Sequence, residues 1–482
     1  MVAEKTPVAI VMAAGRSTRF LPGRNKLDAM LLGRRVLTWT LTRLYEAGIR
    51  RFLTVVPADR RPLALDEVHF PDAAVEPIVQ DPPQGTADAV NRCSAVLEGY
   101  PGDVIIANGD TPAVRVETYR MLLETHQRSR ADLTLLTGMI AHAGSYGVIE
   151  RKGGHIVRVI EALDRSRDEQ RQPAEVNLGI YVMRWSRVVS AFRVLKPHPI
   201  KGEYFLTDLV EVLAQSGRTV SAYVLEDASE AYGINTWADY HQVQEVIRRQ
   251  VVTDWMAHGV HFLHPDSVII EADVMLSGGV VIGPGVMLQG RTRVGEETVI
   301  GPWTRVRDAT VGRACHIEDH CVIEEAVIGD ACRIGPFARI RPGTELAERV
   351  AIGNFVELKK SRVGPGTKAM HLTYLGDAVI GESVNVGAGT ITCNYDGEKK
   401  HVTVIEDGVF IGSDTQLVAP VRVGRGAYIA AGTTVTRDVP PNSLAISRVR
   451  QENKEGWAER RRRMKQRSGT PDRAPASKEE PS

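Results

Sequence analysis

The chain has 482 residues, which at ~150 per domain predicts two or three domains. Lys and Arg number 60 against 59 Asp and Glu, leaving a formal charge of +1, so neither nucleic acid nor an anionic membrane is expected as a partner. With 43% hydrophobic and 25% charged residues the chain has the composition of a globular protein with its own core, while 6% aromatics and 44 glycines point to a repetitive architecture with many tight corners.

Cys93, Cys315, Cys321, Cys332 and Cys393 are few, odd in number and scattered, which argues against a disulfide framework. The N-terminus carries Glu4 and lacks the basic start, apolar run and small-residue cleavage site of a secretory leader. No stretch reaches the ~20 apolar residues of a membrane span. A reducing cytoplasm is the expected compartment.

Residues 1–236 alternate strands and helices. VAIVMAAG reads as a buried strand ending in a Gly turn, VLTWTLTRLYEAG as a helix, RFLTVVP as a strand, ADAVNRCSAVL as a helix and DVIIANGD as a strand with a polar tip. This alternation predicts an α/β layer on a mostly parallel sheet, with ligands at the carboxyl ends of the strands. Residues 237–259 read as a linker, one long helix from Trp237 to about His258 without Gly or Pro, an arm between two domains.

From 260 to 450 the sequence becomes periodic. Ile282, Leu288, Val294, Ile300 and Val306 recur every sixth residue, as do Ile328 to Leu358 and Ile405 to Val435, and Gly often follows. Six fits neither helix nor plain strand; it fits a hexapeptide β-helix of about ten coils, one inward aliphatic per face. Between Ile391 and Val404 the period fails, and TCNYDGEKKHV reads as a loop leaving a corner. Residues 451–482 form a charged extension, read as a short helix and a disordered, solvated tail. Cys315-His316-x-x-x-His320-Cys321 looks like a zinc cluster, but a six-residue spacing puts the cysteines on different faces, against convergence on one ion. His258, His261 and His264 read as a surface feature at the junction.

Chemistry-bearing residues gather after the strands. Ala13-Ala14-Gly15-Arg16-Ser17-Thr18-Arg19, with Lys26, offers close main-chain approach and positive charge to a phosphate chain, without being a Walker loop or GxGxxG. Gln80 and Gln84-Gly85-Thr86-Ala87 can read a base edge. Asp110 and Asn235 supply a carboxylate and an amide oxygen of the kind Mg²⁺ takes alongside phosphates. In the β-helix Arg341, Lys359 and Tyr374 suit a phosphate. His371 alone would read as a corner histidine; among Arg, Lys, Tyr and two Asn it reads as a general base, its ordinary pKa of ~6.5 suiting an amine near neutral pH.

The order AAG-x-x-T-R…K, Q-x-x-x-x-GT, GD, YG, E, N, N resembles sugar-1-phosphate nucleotidyltransferases. Together with the hexapeptide half and the block HLTYLGDA…GAGTITCNYDG, the chain from about Val8 to Trp457 resembles the bacterial bifunctional N-acetylglucosamine-1-phosphate uridyltransferase/glucosamine-1-phosphate acetyltransferase family. The resemblance implies a Rossmann-like α/β nucleotidyltransferase domain followed by a left-handed parallel β-helix, and a homotrimer with acetyltransferase sites between neighbouring copies. It implies UTP binding by Ala13, Ala14, Gly15, Lys26, Gln80, Gly85 and Thr86, with Arg19 and Lys26 stabilising phosphate charge. Sugar-phosphate contacts fall to Gly147, Glu161, Asn177 and Asn235, and Mg²⁺ to Asp110 and Asn235. His371 becomes the base on the amine of glucosamine-1-phosphate, which Arg341, Lys359, Tyr374, Asn385 and Asn394 hold, with Glu357 orienting His371 or the amine. Tyr395, Lys400, Ser413, Ala431 and Arg448 line the acetyl-CoA site. The product, UDP-N-acetylglucosamine, is a precursor of envelope polymers such as peptidoglycan and lipopolysaccharide.

Asn25, Asn108 and Leu178 depart from the family pattern, where Pro, an aromatic and Asn-Thr-Gly are usual, and Met370 stands where a small residue is usual. Asn25, Asn108 and Leu178 motivate one rival reading, a nucleotidyltransferase of altered sugar or nucleotide choice; a second, a β-helix acting mainly as a trimerisation scaffold, is opposed by His371, Lys359, Tyr374, Asn394 and Arg448, which a pure scaffold does not need.

Overall fold

The computed structural model describes residues 6–15, 20, 25–59 and 61–467; Arg19 and the tail beyond 467 lie outside the described residues. The N-terminal sheet is built from Val8–Met12 (β1), Arg51–Pro57 (β2), Ala74–Gln80 (β3), Asp103–Asn108 (β4), Leu133–Ile140 (β5), Val148–Lys152 (β6), His155–Ile160 (β7), Ala174–Arg184 (β8) and Val220–Leu225 (β9). The main path runs β9-β5-β8-β4-β1-β2-β3, with β6 and β7 attached to β8 as a hairpin. β1 is an unbroken apolar run because both its faces are covered, and it pairs in parallel with β2 and β4. The sheet is not parallel throughout: β8 runs antiparallel to both β4 and β5.

Val36–Glu46 (α1) forms where the helical period is read, but the helix read from ADAVNRCSAVL is short. Thr86–Asn91 (α2) tightens into a 3₁₀ turn over Arg92–Ser94. Val116–Ser129 (α3) and Asp208–Gln215 (α4) complete the cover of the sheet. Trp237–Ala257 (α5) begins at a capping box of Thr236 and Asp239. It is bound to the α/β layer: Arg43 Nη2 donates to Gln250 Oε1 at 2.8 Å, and Gln250 Nε2 donates to the Ala113 carbonyl at 2.8 Å. At its other end Arg248 reaches the Pro265 carbonyl at 2.7 Å, where the coils begin.

The repeat folds as a left-handed parallel β-helix. On the face starting at His261–Phe262, ten successive parallel pairings run to Leu444–Ala445. Inward residues Ile282, Ile300, Ile317, Ile334, Ile352 and Ala369 stack in one column and are buried. Full burial of one such Ile stabilises by roughly 1.5–3 kcal/mol. The sixfold period loses register because one corner is often a residue short: Val306 is followed inward by Val311, Ile323 by Ile328, Leu358 by Val363 and Leu375 by Ile380. The same corner takes the insertion, so Ile380 pairs with Ile405 across residues 394–402.

Hydroxyls inside the corners extend the ladder. Thr298 Oγ1 donates to the Gly312 carbonyl at 2.8 Å and accepts from Cys315 N at 3.1 Å. Cys315 and Cys332 take the same place in the next coils, their Sγ atoms 3.1 Å from the Gly329 and Ala347 carbonyls. The five cysteines are free thiols, and no group of three or more His, Cys, Asp or Glu among the described residues is placed to hold a metal ion. Trp457–Arg467 (α6) follows the last coil.

Candidate active sites

Two adjoining chambers open at the carboxyl ends of β1 and β4. The smaller, about 550 Å³, is lined by Ala13, Ala14, Gly15, Lys26, Gln80, Gly85 and Thr86 among others, so the structure brings all seven expected nucleotide residues together. Local geometry explains each placement. Gly85 has φ +108, and a Cβ there would stand 2.5 Å from the Tyr204 carbonyl oxygen, so only Gly admits this turn. Gln80 Nε2 donates to the Gly85 carbonyl at 2.9 Å and so fixes the loop from the end of β3. Asn25 Oδ1 accepts from Leu27 N at 3.1 Å, capping the 3₁₀ turn that carries Lys26. That capping role gives Asn25 a structural reason for standing where Pro is usual.

The larger chamber, about 1010 Å³, is lined by Asp110, Gly147, Glu161, Asn177 and Asn235, the expected sugar and metal residues, and also by Asn108 and Leu178. Thr86, Asn108 and Asp110 border both chambers. Thr207 Oγ1 donates to Glu161 Oε1 at 2.6 Å, and Asn177 Nδ2 donates to Tyr181 Oη at 2.6 Å. Neither Thr207 nor Tyr181 stood out in the sequence. Thr207 precedes α4 and reads as an ordinary cap, yet its side chain caps nothing and turns to the site. Burial pushes the Tyr146 hydroxyl in this wall up to about 12.

Lys26 Nζ donates to Asp110 Oδ2 at 2.5 Å and to Asn235 Oδ1 at 3.0 Å. The two oxygens therefore already converge on one positive charge, which is the donor set a magnesium ion shared with phosphates needs. The residues fit that ion.

In the β-helix the expected residues spread over one face between two corners. His371 stands at the first corner, Arg341, Lys359 and Tyr374 follow along the face, and Asn394 and Lys400 belong to the loop at the second. His371 Nδ1 lies 3.2 Å from Asn354 Oδ1, one coil below. Glu357 does not reach His371: its carboxylate takes Arg341 Nη1 at 2.7 Å, so Asn354 is the orienting partner. Asn394 Nδ2 donates to Asp377 Oδ2 at 2.5 Å, and Lys359 lies 3.8 Å from the same oxygen. Lys359 also approaches Lys400 and holds that ammonium below its usual range, a pairing suited to an anion between them. Asn385 lies across the His371 corner, paired with Phe410 on the next coil.

Further along, Arg448 Nη1 donates to the Ala431 carbonyl at 2.6 Å and Gly432 N to the Ser413 carbonyl at 2.8 Å, which places Ser413, Ala431 and Arg448 on one stretch of surface. Tyr395, 60% exposed, bridges Lys400 at the base of the protruding loop.

The nucleotidyl transferase family profile matches residues 8–251, the GMPPB C-terminal domain residues 266–368, and the bacterial transferase hexapeptide (six repeats) residues 403–437. The bifunctional protein GlmU of Thermodesulfovibrio yellowstonii is 39% identical over 458 residues, covering 94% of this chain and 99% of that protein. That of Pelobacter propionicus is 40% identical over 461 residues, covering 95% and 99%. That of Trichlorobacter lovleyi is 41% identical over 455 residues, covering 94% and 98%.

Proposed function

The chain belongs to the GlmU family of bifunctional proteins, and from that membership we propose that it makes UDP-N-acetylglucosamine in two steps, acetylating glucosamine-1-phosphate in the β-helix and then transferring uridylyl from UTP in the α/β domain. We assign residues 1–236 to uridylyl transfer, 237–259 to the linker and 260–450 to acetyl transfer, with 451–482 an extension. The observation that carries the reading is the pair of chambers meeting at Thr86, Asn108 and Asp110, one lined by the nucleotide set and the other by the sugar set.

In the first step His371, held by Asn354, takes the proton as the free amine attacks the thioester carbonyl of acetyl-CoA. The resulting oxyanion needs donors placed for it, and the thiol of CoA leaves. Arg341, Lys359, Tyr374, Asn385 and Asn394 hold the sugar phosphate; Tyr395, Lys400, Ser413, Ala431 and Arg448 hold acetyl-CoA.

In the second, a phosphate oxygen of N-acetylglucosamine-1-phosphate attacks the α-phosphorus of UTP in line and pyrophosphate leaves. The protein supplies position and charge. Ala13, Ala14, Gly15, Gln80, Gly85 and Thr86 seat the nucleotide, Gly147, Glu161, Asn177 and Asn235 the sugar phosphate, and Lys26 with Arg19 faces the phosphates. Asp110 and Asn235 would hold Mg²⁺, which when bound adds positive charge to those phosphates.

We also assign the protein to the cytoplasm, acting as a homotrimer; no helix among the described residues is long and apolar enough to cross a membrane.

One reaction tests the proposal. Glucosamine-1-phosphate, acetyl-CoA, UTP and Mg²⁺ are mixed, and CoA thiol and pyrophosphate are followed separately. Thiol appears first, and pyrophosphate follows only with acetyl-CoA present. Thiol without pyrophosphate would favour altered sugar or nucleotide choice, for which Asn108 and Leu178 in the sugar chamber are the specific grounds. Comparing UTP with dTTP then decides it.

A further inference from the structure

The two chambers of the α/β domain differ in the charges that line them. Lys26 stands in the smaller one, with the nucleotide set. The larger one is to take a sugar phosphate, yet Asp110, Glu161 and Asp239 are among its walls. Lys201 is the one Lys or Arg among its described lining residues. A phosphate monoester carries close to two negative charges at neutral pH, its second pKa lying near ~6. Carboxylates repel such a dianion, so a cation on the sugar side decides whether it is seated there.

Lys201 sits near the tip of a turn that is closed at its ends. Gly202 N donates to the His198 carbonyl and His198 N to the Glu203 carbonyl, each at 2.8 Å. Both sides of the turn reach the ring of Phe205: His198 packs 4.9 Å from its centre and the Lys201 ammonium stands 5.9 Å from it. Phe205 borders both chambers, so this ammonium is held near their boundary, where the sugar phosphate meets the α-phosphorus. Among the described residues no carboxylate forms an ion pair with it. A cation over an exposed ring is weakly held and turns readily to an anion.

The chain beyond the turn is fastened to the nucleotide loop. Tyr204 N donates to the Gln84 carbonyl at 2.8 Å, Ala87 N to the Tyr204 carbonyl at 2.9 Å, and Leu206 N to Thr86 Oγ1 at 2.9 Å. The place of Lys201 is therefore set against the nucleotide as well as the sugar wall. We propose that Lys201 is a substrate-binding residue of uridylyl transfer, its ammonium holding the phosphate of the sugar-1-phosphate at the boundary of the chambers. The phosphates of the nucleotide are not its target, since Lys201 lines the larger chamber and not the smaller. The inference rests on the reading of the larger chamber as the seat of the sugar phosphate, and deepens it by naming the group that meets the phosphate charge.

Steady-state uridylyl transfer by the full-length protein tests the assignment. N-acetylglucosamine-1-phosphate and UTP are varied separately with Mg²⁺ in excess, and pyrophosphate is followed. Lys201→Met removes the charge and keeps the stem; Lys201→Arg keeps the charge. Lys201→Met is expected to raise KM for the sugar phosphate about tenfold and to leave KM for UTP within about twofold. Lys201→Arg is expected to recover most of that loss. The contact is open to water, so the ratio of the two KM values, variant to wild type, should shrink between about 0.05 and about 0.5 M salt. Acetyl transfer at the wild-type rate shows that both variants are folded.

A rise in KM for UTP in place of the sugar phosphate puts Lys201 on the nucleotide and overturns the assignment. Unchanged KM values for both substrates overturn it too. So does a loss that Lys201→Arg leaves in place and salt does not alter, which marks a loop displaced rather than a charge removed. A wild type that releases no pyrophosphate from N-acetylglucosamine-1-phosphate and UTP overturns the reading of the chamber itself, and is told apart from the other outcomes because it appears before any variant is made.

Discussion

The contact between His371 Nδ1 and Asn354 Oδ1 decides more than orientation, because an amide oxygen accepts only. With the Nδ1 proton donated to Asn354, the lone pair sits on Nε2, and His371 is ready to take a proton from an amine. His371→Ala is expected to cost acetyl transfer about 10²–10⁴-fold, read as release of CoA thiol, while uridylyl transfer is unchanged. Asn354→Asp puts a carboxylate beside the ring and favours the imidazolium. The acid limb of the acetyl-transfer profile should therefore move to higher pH, an effect that a merely structural loss does not produce. Much of this site was legible in the sequence because its residue types are unusual in a plain repeat. The partners were not: Arg341 and Glu357 are 16 residues apart, and whether that spacing brings them together depends on whether the coil has 17 or 18 residues.

At the scale of the element, what could be read was what packing repeats. The inward aliphatics announced the coils, and the buried apolar run announced β1, since burial on both faces leaves no other pattern. The shortened corner was hidden, because one missing residue shifts every later position and looks like an end of the repeat. Gly353 shows how little tolerance the coils have: a Cβ there would lie 1.9 Å from the Met370 carbonyl oxygen, which is backbone and has nowhere to go. Gly353→Ala should lower the thermal midpoint of the β-helix and abolish acetyl transfer. In the α/β layer, burial works against the charge of Asp103, but the His126 and Arg184 side chains, each 3.5 Å away, outweigh it and hold the carboxyl below its usual range. A depressed carboxylate contributes stability above its unfolded value of about 3.9 and loses it as the pH falls through the folded value. Unfolding curves from pH 5 down to pH 2 should show Asp103→Asn with a flatter acid limb than the wild type.

The whole molecule carries two sites in two different kinds of core, joined through α5 and the contact of Ala272 N with the Leu32 carbonyl at 3.0 Å. Asp110→Ala should abolish uridylyl transfer and spare acetyl transfer, the converse of His371→Ala. Mixed in one vessel, the two variants should make UDP-N-acetylglucosamine that neither makes alone, since the intermediate can pass through solution; failure of the mixture would mean that it is handed on within one molecule. The thiols that stand in for threonines in the corners have a practical consequence for such work. Cys93 lies in the core of the α/β layer, Cys315, Cys321 and Cys332 lie in the β-helix, and Cys393 is half-buried at the foot of the loop. Burial pushes the Cys93 thiol up to about 12 and the Cys321 thiol up to about 11, so neither reacts while folded. Those two thiols are thus silent, while the protein is folded, to a reagent that counts released CoA, and on denaturation each becomes a clock for its own layer: Cys93 dates the opening of the α/β layer and Cys321 the fraying of the coils.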